Sequence, residues 1–95
     1  MQPAKRIEII ANSLELTKIL AALDRAKAPG YTVIRNATGR GSHGSATDDL
    51  ESTTNNVYIL VVCPPELLEA MTQVLQPIFQ KFGGFYFISD VQANL

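Results

Sequence analysis

Short β-branched runs alternate with stretches in which apolar residues recur every three or four positions, and these two periods divide the chain into strands and helices. Lys5 to Ala11 carries Ile7, Ile9 and Ile10 around Glu8 and predicts a first strand. Asn12 stops it. With Asn12 as N-cap and Glu15 three positions on, a capping box opens a helix, and Leu16, Ile19, Leu20 and Leu23 follow at helical spacing to about Ala26. Ala28-Pro29-Gly30 terminates that helix, because proline cannot continue the hydrogen-bond ladder and glycine accepts the turn. Tyr31 to Arg35 predicts strand two and Val57 to Cys63 strand three. Pro64-Pro65 closes strand three and supplies a proline for the first turn of a helix. Leu67, Leu68, Met71, Val74, Leu75, Ile78, Phe79 and Phe82 trace one face of that second helix, which Pro77 should kink. Gly83-Gly84 ends it, and Phe85 to Val91 predicts strand four. The order βαββαβ is the split βαβ arrangement of ferredoxin-like α+β folds: one antiparallel sheet, two helices on one face, a single domain over residues 1–95.

Two features of the pattern do not fit an isolated domain. Residues 36–56 form a long polar segment between two apolar strands, and loops of that length in so small a domain usually bind something or stay mobile until they do. Residues 38–54, with Gly39, Gly41 and Gly44 and almost no large apolar side chain, are therefore expected to be mobile without a ligand. Strand three, in turn, is apolar or tyrosine at seven consecutive positions, and strand four opens on four more. Two helices cover one face of a sheet. The other is most simply buried against further copies of the chain, which also helps a small domain that buries little of its own surface.

Composition narrows the chemistry. The chain has 95 residues, 46% of them hydrophobic, and a net charge of −1, as expected of one ordinary globular domain. Its single cysteine, Cys63, excludes an intramolecular disulfide and fits a reducing compartment or an inert thiol at a strand end. No apolar stretch is long enough to span a bilayer, and no signal-type run follows the N-terminus, so the protein is read as cytoplasmic and not membrane-embedded. The one histidine, His43, and Cys63 lie in different contexts, a glycine-rich loop and the end of a strand, which argues against a nucleophile pair or a zinc site. Asp48, Asp49 and Glu51 read as a solvated acidic tip. RNA-recognition domains share the βαββαβ order but carry a basic and aromatic signature on strand three; its absence here argues against nucleic acid.

The segment Thr38-Gly39-Arg40-Gly41-Ser42-His43-Gly44 has the makings of an anion site, since glycines let N–H groups converge and an arginine binds phosphate through a planar fork. It matches no Walker or Rossmann pattern, so taken alone it reads equally as a flexible loop. Gly83-Gly84 taken alone reads as a helix C-cap.

The long loop between strands two and three and the glycine turn before strand four, on a βαββαβ frame, resemble the PII signalling superfamily. Gly30-Tyr31-Thr32-Val33 followed by Thr38-Gly39-Arg40-Gly41-Ser42 is similar to a stretch of the PII-like regulators associated with bicarbonate transport and carboxysomes, the SbtB type. The resemblance implies a homotrimer with adenine-nucleotide sites in the clefts between subunits. There the base of the long T-loop (about 37–55) meets the shorter B-loop (about 81–85). On this chain the implied ligand-binding residues are Thr38, Gly39, Arg40, Gly41, Ser42, Lys81, Gly83, Gly84 and Phe85. The ligand would hold one loop conformer, and that conformer would determine docking on a partner such as a bicarbonate transporter or a carboxysome-related protein.

Departures refine the expectation. Phe85 follows Gly84 where nitrogen-type PII proteins carry a phosphate-binding lysine, no tyrosine lies between Val33 and Val57, and His43 stands where the bicarbonate-linked type has an arginine. Fewer fixed positive charges favour AMP, ADP or cyclic AMP over ATP, with bicarbonate as a small co-ligand and no resident cofactor or metal. The chain ends at Leu95 without a cysteine-containing tail, so redox control through such a tail is not expected. Arg40 is the expected phosphate contact, flanked by Gly39 and Gly41, with Lys81 or Arg35 as substitutes. The expected function is a nonenzymatic sensor acting on inorganic-carbon uptake or fixation. The alternatives are an acylphosphatase-like phosphohydrolase using Arg40 and Asn36, a nitrogen-type PII regulator, and a purely structural trimer.

Overall fold

The computed structural model describes residues 1–41, 44–46 and 55–95, with the backbone alone for 40, 41 and 44–46. Strands β1 (Gln2–Asn12), β2 (Thr32–Ala37), β5 (Asn56–Cys63) and β6 (Phe85–Ala93) form one antiparallel sheet in the order β2-β5-β1-β6. Helices α1 (Leu16–Arg25) and α2 (Leu68–Phe82) pack side by side on one face. The expected βαββαβ frame is present, and β1 is longer than the isoleucine run alone suggests.

Alternation decides what each strand buries. In β5, Val57, Ile59, Val61 and Cys63 are fully buried under the helices, while Tyr58, Leu60 and Val62 point to the opposite face and are half-buried. Ile7, Ile9 and Ala11 of β1 lie in register beside that buried set. Leu16, Ile19 and Leu23 of α1 and Met71 and Leu75 of α2 close the core from above. Phe79 and Tyr86 meet at 5.2 Å between ring centroids, and the Tyr86 hydroxyl donates to Gln76 Oε1 at 2.8 Å, so α2 is fastened to the edge strand β6.

Several local expectations are corrected. Asn12 does cap, its Oδ1 accepting from the Leu14 N–H at 2.9 Å, but the element it caps is a 3-10 turn (Ser13–Glu15) ahead of α1. The Glu15 carboxylate accepts from Lys18 Nζ at 3.0 Å. The end of α1 is made by Lys27 in the left-handed region at φ 67°, its N–H bonding Asp24 O while the Ala28 N–H bonds Leu23 O. That pairing is a Schellman cap, completed before Pro29 and Gly30 are reached. Helix α2 runs as one element through Pro77. Phe82, predicted on its buried face, is exposed, with Lys18 Nζ 4.4 Å and Lys81 Nζ 5.3 Å from its ring centroid.

Part of the long polar segment takes strand form. Strand β2 continues to Ala37, and β3 (Gly39–Gly41) pairs with β4 (Gly44–Ala46) as a small antiparallel hairpin, Arg40 opposite Ser45. Residues 42, 43 and 47–54, including Ser42, His43 and the acidic tip, lie outside the described residues, as does the expected mobility there.

Candidate functional site

Sheet order places the two halves of the predicted site. The loop base follows β2 on one edge, and the glycine turn precedes β6 on the other, three interstrand spacings or roughly 14 Å away. Register places them at the same end, because Phe85 pairs with Ile10, Ile10 with Tyr58 and Tyr58 with Ile34, a row that crosses all four strands. Within one chain the ends of β2 and β6 that carry them stand on opposite edges of the sheet.

At the loop base, Asn36 takes a left-handed backbone (φ 61°) where the pairing of β2 with β5 shifts register between Ile34 and Ala37. Its Oδ1 accepts from Asn55 Nδ2 at 3.3 Å, and the Asn55 carbonyl accepts from the Ser13 N–H at 2.7 Å. Both ends of the long segment are thereby tied to the start of the helical layer. Thr38 and Gly39 are exposed, and Arg40 and Gly41 lie on β3.

The glycine turn is narrower than 81–85, since α2 reaches Phe82 and β6 starts at Phe85. Gly83 (φ 81°) caps α2 through its N–H to Phe79 O at 3.0 Å. Gly84 (φ 84°) lies against β1: a Cβ there would come within 2.8 Å of Ile10 O and 3.2 Å of Ala11 Cα. Gly84 therefore carries a packing requirement of its own, and Gly83 a conformational one. Lys81 is exposed and turned to the Phe82 ring, and Phe85, also exposed, stacks on Phe87 with centroids 6.3 Å apart.

The sheet face opposite the helices holds features that residue types alone did not mark. Pro29, Gly30, Tyr31, Thr32, Leu60 and Val62 line an open recess of about 310 Å³ at the β2 edge. Period-two alternation was the available signal, since it puts Thr32, Leu60 and Val62 on one face. Along the middle of this face runs a polar chain. The Tyr58 hydroxyl donates to Glu8 Oε1 at 2.6 Å, Arg6 Nε lies 3.5 Å from Glu8 Oε2, and Arg6 Nε donates to Ser89 Oγ at 3.0 Å. The hydrogen bond to Glu8, then burial and the Glu8 charge, hold the Tyr58 pKa above its ordinary value against the smaller opposing pull of Arg6.

Of the residues weighed for catalysis, Cys63 and Asn36 are the ones whose side chains are described, and they lie apart. Cys63 is fully buried on the helix side, its thiol pKa raised by burial and by the Glu66 charge. Asn36 is engaged with Asn55. Among the described residues, no three of His, Cys, Asp and Glu come together as metal ligands, and no helix is long and apolar enough to cross a membrane.

A search of curated proteins found no match. Solved structures gave close ones. CPII from Thiomonas intermedia K12, bound to ADP and bicarbonate, is 32% identical with a TM-score of 0.87, the match covering 98% of this chain and 90% of that one. A structure of the same nitrogen regulatory PII-like protein bound to ADP, AMP and bicarbonate gives 32% identity, a TM-score of 0.88 and the same coverage. Its complex with ADP, AMP and acetate gives 30% identity and a TM-score of 0.82, covering 99% and 91%. The family model for nitrogen regulatory protein P-II matches residues 4–94, which take in both helices and all of the sheet but Gln2 and Pro3 of β1, and the chain belongs to that family.

Proposed function

We propose that this PII-like signalling protein is a homotrimeric, nonenzymatic sensor of adenine nucleotides, AMP or ADP foremost, with bicarbonate as a co-ligand. One observation carries the reading: the glycine turn and the recess lie on opposite edges of a sheet whose helix-free face is largely apolar. A ring of three copies that covers this face sets the β6 edge of one beside the β2 edge of the next, a heterologous contact that closes on itself. Each cleft then receives Gly83, Gly84 and Phe85 from one copy and the recess at Gly30 to Thr32 from its neighbour. The recess suits a planar base. Phosphate is left to backbone N–H groups and to arginine, with Thr38, Gly39, Arg40, Gly41 and Ser42 at the loop base and Lys81 near the glycine turn as contributors.

The ligands of the CPII structures support the choice of adenine nucleotide and bicarbonate. A nucleotide that contacts the loop base stabilises one conformation of residues 37–55 over others, and that conformation recruits or releases a partner. We assign the partner to inorganic-carbon uptake or fixation in the cytoplasm, by the resemblance of Gly30 to Ser42 to bicarbonate-linked regulators.

Calorimetry with AMP, ADP, ATP and cyclic AMP, each with and without bicarbonate, tests the reading. One AMP or ADP bound per chain, without turnover, is expected. Absence of binding throughout the panel would leave a structural trimer, and turnover of nucleotide or acyl phosphate would favour a phosphohydrolase. Arg40→Ala should weaken nucleotide binding by about 1.5–3 kcal/mol through loss of a charge-assisted contact, with the trimer intact. Unchanged affinity would move the phosphate contact to Lys81 or Arg35.

A further inference from the structure

Beside the glycine turn, the helical layer ends in an apolar patch with a basic rim. Ile10 near the end of β1 pairs with Phe85 at the start of β6, so the 3-10 turn that opens α1 and the last turn of α2 lie at one end of the sheet. Leu14 in that 3-10 turn is 69% exposed, and only its N–H serves the Asn12 cap. Phe82, the last residue of α2, is 39% exposed although it continues the apolar stripe of that helix. Lys18, four positions after Leu14, holds its ammonium group 4.4 Å from the Phe82 ring centroid, and Lys81 holds a second one at 5.3 Å. Two large apolar side chains and two cations are gathered at this end of the layer.

Charge decides what that surface fits. Glu15 pairs with Lys18, but its side chain is 14% exposed against 50% for the lysine, so the cation faces solvent and the acid does not. Lys81 makes no ion pair among the described residues. In a chain of net charge −1 this is a local positive site. One exposed leucine is ordinary, whereas a leucine and a phenylalanine flanked by cations complement a carboxylate-bearing segment that has an apolar anchor. We propose that Leu14, Lys18, Lys81 and Phe82 form a docking surface for an acidic segment of a partner protein. Its place in the fold suits that role. The Ser13 N–H bonds the Asn55 carbonyl at the base of the long loop, and Gly83 follows Phe82, so one end of the surface adjoins the loop base and the other the glycine turn. It also lies on the helix side, away from the sheet face assigned to neighbouring copies. The inference rests on the reading that this protein acts through a partner, and not on which nucleotide it binds.

Selection of displayed random short peptides on the full chain, followed by fluorescence anisotropy of those enriched, tests this. Enriched peptides should carry several Asp or Glu residues beside a Leu, Met or Phe, and should bind more weakly as salt rises. Leu14→Ser and Lys18→Glu should each weaken their binding at least about fivefold, and Lys18→Arg should retain it, with circular dichroism and ADP affinity unchanged. Failure to enrich any peptide would overturn the proposal, as would enrichment of neutral or basic ones or equal binding to Leu14→Ser, Lys18→Glu and the parent. Peptide binding seen only in Asp48→Asn/Asp49→Asn/Glu51→Gln would give the surface to the chain's own loop, and altered sedimentation of Lys18→Glu would give it to a second copy; either result overturns it too. A parent that selects acidic peptides but binds no nucleotide would remove the nucleotide reading alone.

Discussion

Asn55 Nδ2 donates to Asn36 Oδ1 across the base of the long loop, joining residues 19 positions apart at 3.3 Å. Asn36 holds a left-handed backbone there, a conformation asparagine accepts far better than a β-branched residue. Asn36→Val should therefore cost about 1–2 kcal/mol and lower Tm by several degrees at fixed protein concentration, while Asn36→Gly stays near the parent. Thermal melts of both variants check this; equal losses would mean that the amide bond rather than the backbone sets the cost.

Lys27 occupies the left-handed position of the cap on α1 with its side chain exposed. Since glycine takes that conformation without steric penalty, Lys27→Gly should stabilise the protein by about 0.5–1 kcal/mol, read as a higher denaturant midpoint at unchanged slope.

The two adjacent glycines should respond unequally to alanine. A methyl group at Gly83 meets open space and adds only backbone strain, about 1–3 kcal/mol, at φ 81° and ψ −166°, a pair essentially confined to glycine. At Gly84 it would also strike Ile10 O and Phe79, for a loss of about 2–4 kcal/mol. Denaturation of the ligand-free variants measures the difference.

Tyr58 links stability to alkaline pH. Its folded pKa lies above the unfolded value, so above about pH 10 the unfolded chain releases a proton that the folded one keeps. The stability that Tyr58 contributes is complete below that pH and is lost as pH rises through the folded pKa. The parent should lose stability more steeply above pH 10 than Tyr58→Phe does, and one phenol should ionise late in a spectrophotometric titration at 295 nm.

Cys63 should be inert towards thiol reagents while the protein is folded, because burial both blocks access and disfavours the thiolate. Labelling by an aromatic disulfide should proceed at the unfolding rate and become immediate in denaturant.

Local periodicity was enough to place the four strands of the main sheet and the two helices, because alternation and helical spacing are properties of neighbouring residues alone; it did not say which residues of β5 face the helices, since the run from Val57 to Cys63 is apolar throughout. That unbroken run led to the expectation that the face away from the helices is covered, and the short motifs at Gly30 to Ser42 and Gly83-Gly84 pointed to the loop base and the turn. The β3–β4 hairpin was not legible, since Gly39, Gly41 and Gly44 carry no strand propensity and pair through backbone groups alone. Nor was the Lys27 cap, masked by the stronger turn signals of Pro29 and Gly30. The joining of Tyr58 to Glu8, the closeness of Gly84 to Ile10 and the separation of loop base from glycine turn were decided only in three dimensions. Each depends on which strands become neighbours and in what register, and that follows from chain topology and the packing of two helices on one face, to which residues distant in sequence contribute together.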